Sequence, residues 1–249
     1  GADKKGVHPY CLGSYNAPAG RSVIIAAREL MAKLNRTVGT NIYITGYSEG
    51  GANALWLTRY LEENNQPTLL PTRSAPMAGP YELSRATALS FISPQPPVAD
   101  QENATYKPIL ITFAASATAA LLRNPLATLI QKPLADQAEG LFPGPLADET
   151  LGVRLLATAV NDLAYVSLSN STPVVNPKNL LDDAMVRVIE QHDTNDPGLA
   201  LWAANDVVDW TPRAPVLLVG VLQDSLVPFA ASSYPLPTPW TALPEPWET

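Results

Sequence analysis

The pentapeptide Gly46-Tyr47-Ser48-Glu49-Gly50 sets a serine between two glycines. It directly follows Ile42-Tyr43-Ile44-Thr45 and precedes a stretch in which Ala54, Leu57 and Leu61 recur at helical spacing. The residues before the serine are β-branched or aromatic and those after it are helix formers, so Ser48 falls on a corner between a strand and a helix. Such a corner is too tight for Cβ atoms on either side, which predicts that glycine is needed at both Gly46 and Gly50. The hydroxyl is pushed out of the corner. The helix that begins at Glu49 aims backbone N–H groups and the positive end of its dipole at the same point. That combination suits attack on a carbonyl carbon, with Ser48 as nucleophile and the Glu49 N–H as one donor to the developing oxyanion. A glycine-rich turn without chemistry is the bland alternative; the strand before and the helix after favour the nucleophile.

A nucleophilic serine needs a base, and the base needs a carboxylate to orient it. Ala214 to Leu222, APVLLVGVL, is a continuous apolar run of the kind found in a parallel sheet covered on both faces. Gln223-Asp224-Ser225 follows it, so Asp224 stands at the carboxyl end of a predicted strand downstream of the serine, where a triad acid belongs. Its competing role is to cap a turn, and Asp206 and Asp209, which precede the strand, are the weaker carboxylate candidates.

The elements that must position these groups follow an α/β order. Ser14 to Leu34 carries Val23, Ala26, Ala27, Leu30, Met31 and Leu34 at helical spacing, so a helix leads into the strand before Ser48. After the second helix, TLLPTRSAPMAG has room for a further short strand. The segment from Tyr81 to Asp209 lacks sheet signals and is rich in Ala and Leu, with prolines expected to cut it into short helices. These features divide the chain into a core with the serine corner over 1–83, a helical insertion over 84–205 and a core strand with the acid over 206–232. The last part, 233–249, is a proline-rich tail. An insertion between strands of a parallel sheet is expected to cover the carboxyl ends of those strands as a cap; a helical bundle unrelated to catalysis is the alternative.

Composition narrows the function classes. The chain has 249 residues, 46% of them apolar, enough for one α/β domain with a cap. A net charge of −7 with scattered Lys and Arg argues against nucleic acid or an anionic membrane surface as partner. Cys11 is the only cysteine, and the two histidines, His8 and His192, lie far apart, so neither a disulfide, a metal nor another cofactor is expected. The longest apolar run, Ile109 to Leu122, is broken by Arg123, Asn124 and Pro125 and is too short to span a bilayer, so no integral membrane segment is expected. The first residues carry no signal peptide pattern. Nothing in the sequence fixes the oligomeric state.

His8-Pro9-Tyr10, GYSEGG at 46–51, PMAGPYEL at 76–83 and DWTPRAPVLLVGVLQDSLVP at 209–228, together with the long helical insertion, resemble secretory lipases of the α/β-hydrolase fold. The nearest resemblance is to the Candida lipase A-like enzymes and their bacterial relatives. It implies a partial α/β-hydrolase parallel sheet with a long helical cap insertion and hydrolysis of a small-molecule or lipid carboxylic ester through an acyl-enzyme. It also implies a secreted location, with Ser48, Glu49 N–H and Asp224 in the roles given above. A serine peptidase of the same fold and a non-catalytic hydrolase-like scaffold are the alternatives.

Two departures from that pattern stand out. Such folds have several strands ahead of the serine strand, whereas one helix precedes it here, and the second oxyanion donor belongs to that upstream part. The triad histidine should follow the acid, yet no histidine follows His192. His192, in EQHDTNDPG, reads as a solvated loop residue and His8 as a turn residue beside Pro9. The chain is therefore expected to be an inactive fragment, incomplete or out of frame at its end.

Overall fold

A computed structural model describes residues 6–93, 101–139, 141, 148–169, 172–221, 224, 226 and 227. The chain divides into two compact units, one holding residues 11–82 and the described residues from 205 onward, the other residues 6–10 and the described residues from 83 to 204. The 233–249 tail lies outside the described residues.

The first unit is a two-layer α/β fragment in which helices cover one face of a parallel sheet. Helix α1 (Gly13–Lys33) leads to strand β1 (Tyr43–Tyr47), helix α2 (Glu49–Glu63) and strand β2 (Arg73–Met77). The two strands pair in parallel with Tyr43 opposite Arg73 and Tyr47 opposite Met77. Residues 215–219 continue the sheet on the far side of β2, so the spatial order is β1, β2, 215–219 and all run parallel. On this side Ser74 N–H donates to Pro215 O, Leu217 N–H to Ser74 O, Val219 N–H to Pro76 O and Ala78 N–H to Val219 O. The bond missing from this alternation is the one Pro76 would donate. A proline in a central strand has removed a ladder donor, which reduces the pairing to two separated bridges, Ser74 with Val216 and Met77 with Val219.

The strand alternation decides which face is buried. Ile42, Ile44 and Ser74 point to the helix side and are buried, packing with α2 residues such as Ala54 and Leu61. Ile24 and Ile25 of α1 pack onto the same cluster. Tyr43, Thr45, Tyr47, Leu217, Val219 and Val221 point the other way and are exposed. The apolar 214–222 run reads as a strand buried on both faces; its described part is covered on one.

Glu62, at the end of α2, fixes the third strand to the helix layer. Its buried carboxylate accepts from the backbone N–H of Arg213 at 3.0 Å and of Ala214 at 2.7 Å, and the Arg213 guanidinium donates to the Glu62 carbonyl. Thr58 Oγ1 meets Ser74 Oγ at 2.9 Å, joining α2 to β2. Trp56 Nε1 donates to Asn205 O at 2.7 Å, and the Asn205 side chain accepts from the N–H and Oγ of Ser14.

The second unit is mostly helical. A π-helical turn (Leu83–Thr87) runs into α3 (Ala88–Ile92), followed by α4 (Gln101–Leu122), α5 (Lys132–Glu139), α6 (Asp148–Asp162), α7 (Asp183–Gln191) and α8 (Pro197–Ala203). One proline departs from the expectation of short helices: Pro108 lies inside the 22-residue α4, where its carbonyl accepts from Thr112 Oγ1 at 2.6 Å. Buried Ile109, Ile111, Ala114, Ala115 and Ala117 make α4 the core of this unit, and Trp202 of α8 donates to Thr118 Oγ1 at 2.8 Å. An antiparallel hairpin, β3 (Val166–Ser169) with β4 (Thr172–Val175), interrupts the helices where the sequence shows no sheet signal. No helix among the described residues is long and apolar enough to cross a membrane.

Candidate active site

Ser48 stands on the corner between β1 and α2, as its flanking residues require. Its backbone is at φ 55 and ψ −124, a region that a residue with a Cβ enters only under strain. Its N–H donates to Met77 O at 3.0 Å, and its carbonyl opens the helix by accepting from the N–H groups of Gly51 and Ala52. The side chain is half-buried.

The glycines around it have different duties from those the sequence pattern assigns. A Cβ on Gly46 would strike the carbonyl of Gly50, so that position must be glycine. A Cβ on Gly50 would meet nothing within 4 Å. The second obligatory glycine is Gly51, whose Cβ would strike the carbonyl of Met77 at the end of β2. The corner turns so tightly that the first turn of α2 presses on the neighbouring strand, and the residue facing that strand is 51.

Glu49 is the first residue of α2, so its N–H lies at the positive end of the helix dipole. Its side chain serves a second purpose that no sequence signal marks: Oε1 accepts the backbone N–H of Cys11 at 3.1 Å. Cys11, buried and at φ 56, is thereby tied to the serine corner. Tyr81 is fully buried in the same unit, and burial pushes its phenol from 10.0 up to about 12, an effect the Gly79 backbone partly offsets. The Gly79 contact falls short of hydrogen-bond geometry, and Tyr81 Oη has no partner among the described residues.

Asp224 lies five positions beyond Val219, past the carboxyl end of the 215–219 strand, just as Ser48 lies past the carboxyl end of β1. Its Oδ1 accepts from the N–H groups of Leu226 at 2.9 Å and Val227 at 2.8 Å. These bonds cap a turn and at the same time fix the carboxylate.

Both histidines belong to the helical unit, and His192, expected in a solvated loop, closes a helix. His8 is exposed and meets Tyr10 edge-on at 6.4 Å between ring centroids. His192 ends α7 in the left-handed conformation, φ 50 and ψ 45, with its N–H bonded to Ile189 O at 3.1 Å. It is a helix cap. Among the described residues, no group of three or more His, Cys, Asp or Glu could hold a metal. Within the helical unit a polar cleft of about 520 Å³ opens between Gln131, Asp162, Lys178, Asn179 and Asp183.

No family model and no curated protein matches the sequence. Solved structures do match. The rice cell wall degrading esterase LipA from Xanthomonas oryzae, in a ligand-bound form, superposes with a TM-score of 0.71 at 23% identity over 91% of this chain and 54% of that one. A second LipA structure gives a TM-score of 0.69 at 25% identity over the same shares. A Legionella pneumophila protein provisionally classed as a hydrolase gives 0.66 at 21% over 92% and 54%. The chain therefore has a partial α/β-hydrolase fold, helix-rich with a small parallel sheet, and spans about half the length of the structures it matches.

Proposed function

We propose that the chain carries the nucleophile of a serine hydrolase acting on carboxylic esters. Ser48 attacks the acyl carbon to give an acyl-enzyme that water resolves, the Glu49 N–H stabilises the oxyanion, and Asp224 is the acid that orients the base. The observation that carries this reading is the strained backbone of Ser48, φ 55 and ψ −124, held between β1 and α2 by two glycines that tolerate no side chain. The likeness to cell wall degrading esterases supports an ester rather than a peptide bond as the target, and an extracellular place of action. A lipid-like acyl group is the substrate that the secretory-lipase resemblance favours.

Phosphonylation tests this reading. A fluorophosphonate, with imidazole supplied as external base, is expected to modify Ser48 selectively, as read by peptide mass mapping, and to leave the Ser48→Ala protein unlabelled. Labelling spread over several serines and tyrosines, or none at Ser48, overturns the assignment.

A further inference from the structure

The carboxylate of Glu49 is bound outside its own helix. Glu49 is the first residue of α2, and a carboxylate in a first turn is drawn to the unbonded N–H groups and the positive dipole end there. Its Oε1 instead accepts the backbone N–H of Cys11 at 3.1 Å. Cys11 is a fixed point: it is buried at φ 56, and its carbonyl accepts from the Gly13 N–H at 3.1 Å. Beyond it, α1 docks along one flank of α2. Gly13 lies against Trp56, which a Cβ would strike, Asn16 Nδ2 donates to Asn53 Oδ1 at 3.2 Å, and Gly20 lies against Leu57. The receiving positions 49, 53, 56 and 57 share one flank by helical spacing. Ser14 is bonded to the Asn205 side chain as well. These contacts hold α1 on α2 without Glu49, so the Glu49–Cys11 bond is not what keeps the two helices together.

We propose that Glu49 is a positioning residue for the reaction at Ser48: its bond to Cys11 keeps the carboxylate off the N-terminus of α2, so that the Glu49 N–H stays available to the oxyanion. This role rests on the serine-hydrolase reading of Ser48 and deepens it. A carboxylate and an oxyanion compete for the same donors, because both are anions attracted to the same helix end. Glutamate settles the competition by reach. Its carboxylate extends to a backbone N–H of another segment, and a hydrogen bond to an ionised acceptor is stronger than a neutral one. Aspartate in its place is shorter by one carbon–carbon bond, about 1.5 Å. That takes the carboxylate out of hydrogen-bond range of Cys11 and leaves its charge beside the helix end. Alanine removes the bond and the charge together. The two substitutions therefore differ at the oxyanion donor although both break the same bond.

Rates of fluorophosphonate labelling in the 249-residue chain, with imidazole as external base, test the proposal. Ser48 Oγ bonds to phosphorus as the P–F bond breaks, imidazole takes the serine proton, fluoride leaves, and the phosphoryl oxygen occupies the place of the oxyanion. Glu49→Asp is expected to label at Ser48 about tenfold more slowly than Glu49→Ala, with circular dichroism confirming that both are folded. A bond with a structural role alone slows both variants alike. Equal rates, or faster labelling of Glu49→Asp, overturn the proposal and leave Ser48 standing as nucleophile; an unaltered chain that is not labelled at Ser48 overturns both. If Glu49→Asp does not fold, amide exchange decides. The Cys11 N–H is expected to be protected in the unaltered chain before and after phosphonylation and to lose that protection in Glu49→Ala. Fast exchange at Cys11 in the unaltered chain, or equal protection in Glu49→Ala, overturns the proposal.

Discussion

The backbone N–H of Ser48 donates to the carbonyl oxygen of Met77 at 3.0 Å, so the last residue of β2 holds the first corner residue after β1. The carbonyl that receives this bond also lies against Gly51, the position where a Cβ would strike it. One peptide group thus sets both the hydrogen bond and the steric limit of the corner, and the strain at Ser48 is enforced by a neighbouring strand.

Ser48 is expected to be a site where function opposes stability. Replacing it with glycine, which enters φ 55 without penalty, should leave the protein about 1 kcal/mol more stable than Ser48→Ala, because alanine keeps the strain and glycine releases it. Both variants remove the proposed nucleophile. Urea denaturation of the two proteins reads the difference, and equal midpoints would mean that the backbone is not strained there.

The three corner glycines are expected to separate sharply. Gly50→Ala should be neutral or stabilising by up to about 1 kcal/mol, since its Cβ meets nothing and alanine suits a helix better. Gly46→Ala and Gly51→Ala should each cost more than about 2 kcal/mol, because backbone rather than a flexible side chain stands in the way. Thermal melts of the three variants give the order directly.

The serine corner is legible in the sequence because it is local: β-branched residues, a serine between glycines and a helical repeat lie within about twenty residues. Which glycines matter is not legible, since the obstacle at 51 belongs to Met77, 26 positions away. The same limit applies to the Glu49 bond to Cys11 and to the Glu62 clamp on Arg213 and Ala214, where a carboxylate meets backbone that no pattern marks. Strand 215–219 was legible from its apolar run, but its broken ladder depends on Pro76 of the strand beside it. The β3–β4 hairpin escaped because four-residue strands inside an Ala- and Leu-rich stretch give too few alternations to read.

Glu62 should be the most sensitive position of the α2 layer away from the corner. Glu62→Ala leaves the half-buried N–H groups of Arg213 and Ala214 without this acceptor and is expected to cost about 1–3 kcal/mol. Glu62→Gln keeps one oxygen acceptor and should cost roughly half as much. Amide exchange at residues 213–219 is expected to accelerate in Glu62→Ala before the helices open. Uniform acceleration across the unit would assign the residue to general packing instead.

Stability at alkaline pH should depend on Tyr81. Its phenol ionises at 10.0 when unfolded and near 12 when folded, so the neutral form is favoured by folding. That contribution, about 2–3 kcal/mol from the shift, is fully present below pH 10 and is lost as pH rises from about 10 to 12. Burial raises the phenol of Tyr165 as well, adding to the loss in the same direction. Tyr81→Phe should flatten part of this decline. Its Oη has no partner to lose, so stability at pH 7 should be unchanged or about 1 kcal/mol higher. Urea midpoints measured every half unit from pH 8 to 11.5 check both statements.

Turnover by the 249-residue chain on acyl esters should lie close to background. In the 249 residues neither histidine follows Asp224, and the proposed mechanism calls for a base in that order. Loss of that base alone costs on the order of 10⁶ in turnover, about 8 kcal/mol of barrier. Imidazole added to the assay should raise hydrolysis of a short-chain p-nitrophenyl ester in the unaltered chain and not in Ser48→Ala, because the proposed mechanism assigns the attack to Ser48. Substantial Ser48-dependent turnover without imidazole would instead assign the base to His8 or His192, and separate His8→Ala and His192→Ala variants would show which.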